Sequence, residues 1–129
     1  MAPSHFNYKE RYPEEFAKFQ PANATEVEYK NKDQLINAYD NSILYTDYFL
    51  HSLIGILKNS GADATMIYSP DHGEDLLDDN RKRFLHASPI PTYYQIHIPF
   101  LMWFSDNYIE ARPEKYEVAR YNSNAPISS

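Results

Sequence analysis

The residues best suited to chemistry stand together at Asp71-His72-Gly73-Glu74, just beyond a short apolar run that ends at Tyr68. Ligands of α/β sheets bind outside the carboxyl ends of strands, so a strand tip is where such a group belongs. Adjacent Asp and His offer a hard oxygen and a neutral imidazole, and Zn²⁺ accepts both. Gly73 lets the backbone turn sharply enough for Asp71 and His72 to face one ion. Glu74 is placed to accept a hydrogen bond behind such a ligand pair. Two residues cannot fill a tetrahedral site, so further ligands must come from elsewhere. The competing reading of the same four residues is a solvated acidic turn.

Other histidines have weaker settings. His86 lies in Phe84-Leu85-His86-Ala87-Ser88-Pro89 after the basic run Arg81-Lys82-Arg83. It can bind a second metal or an anionic oxygen, or it can be a packed histidine bonded to backbone. His5 has the same two readings with less context. His51 falls inside an expected helix and His97 just before an expected strand, where structural roles are the simpler ones. There is no Gly-rich phosphate loop, no GxSxG elbow and no HExxH zinc motif. None of Thr25, Thr46, Thr65 and Thr92 has an activating setting, so no threonine here reads as a nucleophile. The twelve tyrosines suit the edges of a core better than a sugar-stacking or membrane-interface surface.

These side chains need elements to position them. Between Lys32 and Asn59, the residues Ile36, Tyr39, Ile43, Leu50, Leu53, Ile54 and Leu57 recur at the spacing of one apolar helix face. Asn31 or Asp33 suits the start of that helix, and Gly61 suits the left-handed residue after its end. Ala64–Tyr68 and Phe100–Phe104 read as short buried strands, the first closed by Pro70 and the second entered at Pro99. Glu14–Phe19 follows Pro13 as a short helix, Ala22–Asn31 is a loop, Asp71–Arg83 is a polar loop or frayed helix, and Pro113–Arg120 is a short helix. This order of helices and strands predicts an α/β fold.

Composition narrows the function further. The chain has 129 residues with 18 acidic against 12 basic and no cysteine, the size of one domain or part of one. A net charge of -6 argues against nucleic acid as the main partner, because phosphate-backbone binding needs clustered positive charge. Without cysteine there is no disulfide scaffold, thiol catalysis or thiolate-bound zinc. No run approaches the roughly 20 apolar residues of a membrane helix, and the first residues lack the blocks of a secretory signal. The chain therefore reads as soluble, and three glycines with polar ends predict a fragment of a larger enzyme.

Taken together the segments resemble the C-terminal part of a sulfatase-fold enzyme of the alkaline phosphatase superfamily, nearest to the lipid A phosphoethanolamine transferases. The resemblance is carried by Ser4-His5 with Arg11-Tyr12-Pro13 and Phe16, by Tyr39-Asp40-Asn41-Ser42-Ile43-Leu44-Tyr45-Thr46-Asp47, by Asp71-His72-Gly73-Glu74, by Phe84-Leu85-His86 and by Ile98-Pro99. It implies a central sheet flanked by helices, with residues 1–129 forming the C-terminal part of one catalytic domain. It implies that Asp71 and His72 are metal ligands for one or two Zn²⁺ or another divalent cation. His86 and His5 would be catalytic, facing the substrate phosphate. A threonine nucleophile and a further acidic ligand would precede this region. Phe6, Pro70 and Ala87 stand where the family's best-known members differ, which points to a separate branch.

The implied reaction moves phosphoethanolamine from phosphatidylethanolamine to a lipid A or glycan phosphate acceptor, through the threonine. The implied location is the periplasmic face of the bacterial inner membrane, reached through spans outside this chain. Sulfatase or phosphoglycerol transferase activity, or a non-catalytic binding domain, are the alternative expectations.

Overall fold

The computed structural model describes residues 7–86 and 89–125, so His5 and Ala87 lie outside the described residues. The chain divides into two compact units. One takes the described residues up to Leu50 and within Ser69–Pro99; the other takes His51–Tyr68 and the described residues from Phe100 onward.

The long helix α1 spans Lys32–Asn59, the bounds its periodicity predicts, and Gly61 beyond its end has φ +65°. In the first unit its deepest residues are Leu35, Ala38 and Asn41. That stripe is shifted from the predicted one: Ile36 and Tyr39 are half-buried and Ile43 is exposed. The shift has a polar cause. Asn41 is fully buried (0% exposed), and its side chain binds the segment that precedes the helix. Its Oδ1 accepts from the Phe19 amide at 2.9 Å, while its Nδ2 donates to the Phe19 carbonyl at 2.9 Å and to the Tyr12 hydroxyl at 3.2 Å.

That clamp also explains why the expected helix Glu14–Phe19 is only a 3-10 turn, Glu14–Phe16. The Phe19 amide and carbonyl are engaged by Asn41 and are not free for a helical ladder. Two more short 3-10 turns, Tyr8–Arg11 and Tyr29–Asn31, flank the segment, the second replacing the end of the expected loop. Tyr8, Ala22, Ala38 and Leu76 form the buried cluster of this unit, with Ile36, Tyr39, Phe84 and Leu85 packed around it. The edge-to-face contact of Tyr8 with Tyr39 (centroids 5.1 Å) adds directional packing.

The expected loop Asp71–Arg83 proves to carry structure. Strand β2 (Asp75–Leu76) pairs antiparallel with β3 (Phe84–Leu85), and helix α2 follows at Tyr93–Ile96. Strands this short have no alternation to read, so charge composition alone pointed to a loop.

In the second unit, β1 (Thr65–Tyr68) pairs antiparallel with β4 (Leu101–Phe104), Thr65 opposite Phe104. Both are expected to be buried; only Met66 is, and the other side chains of the pair are half-buried or exposed. Helix α3 (Asp106–Ala111), which the sequence did not announce, starts on Ser105. The Ser105 hydroxyl accepts the Tyr108 amide at 3.1 Å and the Ala64 amide at 3.0 Å, so one cap joins helix to strand. Helix α4 (Pro113–Tyr121) opens on the proline that predicts it. Arg112 between the two helices reaches both carboxylate oxygens of Asp63, at 2.6 and 2.8 Å, and this pairing holds its guanidinium above the usual range.

Replacing Asn41 by Ala removes both bonds to the Phe19 backbone, and urea unfolding should show a loss of about 1–3 kcal/mol. A loss within experimental error of the unsubstituted chain would show that the Asn41 clamp does not hold the entry segment.

Candidate metal centre

Register places the site. In the ribbon, Asp75 lies opposite Leu85 and Leu76 opposite Phe84. One step outward, the same register puts Glu74 opposite His86, and on the other side Leu77 donates its amide to the Arg83 carbonyl at 2.8 Å. Glu74 and His86 meet as that geometry requires: Nδ1 of His86 is 3.2 and 3.3 Å from the two carboxylate oxygens of Glu74. Leu85, immediately before His86, has φ +67°. A left-handed leucine is strained, and here the strain turns the chain out of the ribbon just as the histidine begins.

His72 completes the cluster. Its ring lies 3.7 Å, centroid to centroid, from that of His86. One ligand atom from each of His72, Glu74 and His86 can be chosen so that all lie within 4.8 Å of one another. The tautomer of His72 follows from its neighbour: Nδ1 stands 3.0 Å from the Gly73 carbonyl, an acceptor, so Nδ1 carries the proton and Nε2 keeps its lone pair. That lone-pair nitrogen is 3.6 Å from Oδ2 of Asp71. Two atoms each about 2.0–2.1 Å from a tetrahedral ion stand about 3.3 Å apart. The 3.6 Å between His72 Nε2 and Asp71 Oδ2 is a few tenths of an ångström wider than that spacing. Oδ1 of Asp71 meanwhile accepts the His72 amide at 3.1 Å, which fixes the carboxylate beside the imidazole although the side chain is 90% exposed.

Gly73 holds the loop in place. Its amide donates to the Gln95 carbonyl of α2 at 2.9 Å, and a Cβ there would stand 2.0 Å from the Tyr94 carbonyl oxygen. Only glycine permits that approach. Sequence reasoning assigned Gly73 to turning the chain; its observed role is close packing on α2, with no positive φ.

Behind the carboxylate of Glu74 lies Tyr8, 1% exposed, whose hydroxyl has no hydrogen-bond partner among the described residues. Burial raises its phenol far above the usual range, and the nearby charge of Glu74 adds to the effect. The basic run is partly engaged elsewhere. Arg81 pairs with Asp79, holding that carboxyl below its ordinary range, and Arg83 donates to the Ile90 carbonyl. His51 and His97 are exposed; His97 stacks on Tyr93 at 4.5 Å. Neither Tyr8 nor the buried trio of Asp75, Thr92 and Gln95 stands out in the sequence. Isolated polar residues in short segments carry no periodic signal.

The sulfatase family profile matches residues 2–126. The chain belongs to the sulfatase family. Among curated relatives of this sulfatase-family chain is the Kdo(2)-lipid A phosphoethanolamine 7''-transferase of Escherichia coli K12, 38% identical over 109 residues, covering 83% of the chain and 18% of that protein. Another is phosphoethanolamine transferase EptA of Helicobacter pylori, 38% identical over 114 residues, covering 85% and 22%. The chain thus spans about a fifth of the length of these relatives. Among solved structures, it superimposes on the integral membrane lipooligosaccharide phosphoethanolamine transferase A of Neisseria meningitidis with a TM-score of 0.83 at 32% identity, over 93% of the chain and 23% of that protein. It also matches the zinc complex of the C-terminal periplasmic domain of EptC from Escherichia coli, TM-score 0.72 at 33% identity, over 84% and 31%. The fold is the α/β arrangement of these periplasmic sulfatase-like domains.

Gly73→Ala forces the loop off α2 or strains it, and should lower stability by about 1–3 kcal/mol while shifting the amide resonances of His72 and Gln95. Unchanged stability and spectra would show that the close approach is not maintained in solution.

Proposed function

We propose that this chain is the C-terminal part of a sulfatase-like catalytic domain that transfers phosphoethanolamine from phosphatidylethanolamine to a lipid A-type phosphate acceptor. The observation that carries the reading is the convergence of His72, Glu74 and His86 beside Asp71, in a chain whose matched relatives are named as phosphoethanolamine transferases. The threonine nucleophile of the resemblance is then supplied from outside these residues.

In this reading Asp71 and His72 hold a zinc ion, and the oxygen and nitrogen donors of the cluster fit zinc chemistry. The ion, when bound, supplies Lewis-acid charge that favours an ionised nucleophile and a polarised phosphoryl oxygen. The chain's own residues do the rest. Oδ1 of Asp71 is fixed by the His72 amide, and Nε2 of His72 is kept as a ligand because Nδ1 is bonded to the Gly73 carbonyl. His86, with its Nδ1 turned to Glu74, presents Nε2 to phosphate oxygen, where it can donate or take a proton. Glu74 fixes the orientation of that ring. His5 is proposed to stand with His86 on the phosphate, from the resemblance of Ser4-His5 alone.

The proposed setting is the periplasmic face of the inner membrane. No helix among the described residues is long and apolar enough to cross a membrane, so anchoring is assigned to other parts of the protein.

The test uses Asp71→Ala and His72→Ala in the full-length protein, with metal content measured by elemental analysis and transfer followed by the mass of the modified lipid A. Each variant should lose zinc and lose transfer by several orders of magnitude. Retention of both zinc and transfer would remove the site from the reaction. The isolated 129 residues should bind zinc weakly by calorimetry and turn over no ester; zinc-dependent phosphodiesterase activity from them alone would contradict the division of labour proposed here.

A further inference from the structure

We infer that Gln95 is a positioning residue that sets the meeting of His72, Glu74 and His86, acting through the neighbours of all three. The inference rests on the site reading above and goes beyond it, since Gln95 touches none of the proposed ligands.

Gln95 lies in α2 and is buried, as are Asp75 and Thr92. Its side-chain amide donates both hydrogens. One goes to the carboxylate of Asp75 and the other to the Leu85 carbonyl at 3.2 Å. Asp75 and Leu85 are opposite each other in the ribbon. They immediately follow Glu74 and precede His86, respectively. One planar amide therefore staples the pair that carries the two site residues. The backbone carbonyl of the same Gln95 accepts from Gly73 at 2.9 Å, which fixes the residue after His72. Thr92 closes the arrangement by donating its hydroxyl to the other oxygen of Asp75.

The chemistry explains why glutamine is needed. Asp75 is 1% exposed, so its oxygens must be met by donors within the fold. Glutamate at position 95 would offer no second donor and would set two carboxylates together. Methionine would keep the length and offer no donor at all. A two-residue ribbon makes too few ladder bonds to hold a register alone, and Leu85 is in the left-handed region. Removing the staple leaves Leu85 held by apolar packing in place of a directed bond, so relaxation of Leu85 and rotation of His86 away from Glu74 become easier.

The experiment compares Gln95→Met with Leu35→Ala, a buried change on α1 in the same unit, paired with it for comparable loss in Tm. Two readouts are taken on the full chain: the ¹⁵N imidazole resonances of His86 without metal, and zinc affinity by competition with a chromophoric chelator. Gln95→Met should alter the His86 Nδ1 resonance and weaken zinc binding about 10–100-fold, with Leu35→Ala changing neither. Equal behaviour of the two variants would overturn the inference. Should Gln95→Met not fold, Thr92→Val removes one donor to Asp75 and is read the same way, with a smaller change expected in the same direction. If the unsubstituted chain takes up no zinc, the site reading fails, and the metal-free resonances of His86 still decide the role of Gln95.

Discussion

Everything at the site depends on one piece of backbone geometry, the antiparallel register that sets Asp75 opposite Leu85. A shift of one residue would turn Asp75 outward and separate Glu74 from His86. The ribbon is too short to defend that register by itself, and the fold supports it in two ways. Leu76, Phe84 and Leu85 pack into the cluster around Tyr8, which holds the ribbon by burial. The carboxylate of Asp75, bonded by Thr92 and Gln95, adds a directional hold. Apolar burial alone would tolerate slippage; a buried carboxylate does not, because moving it away from its donors leaves a charge without hydrogen bonds.

The same logic recurs where the chain enters this unit. Asn41 binds the preceding segment through the backbone of Phe19 and the hydroxyl of Tyr12, so α1 fixes that segment through a polar residue at the centre of its buried stripe. Lys32 at the start of α1 donates to the Leu77 carbonyl at 2.8 Å, tying the helix to the end of β2. Helix, entry segment and ribbon are thus joined by a few directional contacts as well as by apolar packing. Directional contacts hold angles, and angles are what a group of histidine and carboxylate ligands requires.

How much of this was legible in the sequence follows from what each feature depends on. Helix α1 has enough turns for its apolar period to show, and its limits could be read directly. Its buried stripe could not, because Asn41 is polar and its burial comes from partners distant in sequence. The proposal that Asp71 and His72 hold a metal could be made from the sequence because it needs only two adjacent residue types. The partnership of Glu74 with His86 was not, since it is made by strands of two residues hidden in a charged run. Gln95 gave no sign at all. Its importance lies in three contacts with Gly73, Asp75 and Leu85, which are scattered along the chain and meet only in the fold.

The most direct measurement of the account is anomalous diffraction at the zinc edge from crystals grown with zinc. The account predicts a peak within bonding distance of Nε2 of His72 and of a carboxylate oxygen of Asp71, with His86 facing the same space. A zinc peak held by other residues, with His72 turned away from Asp71, would contradict it.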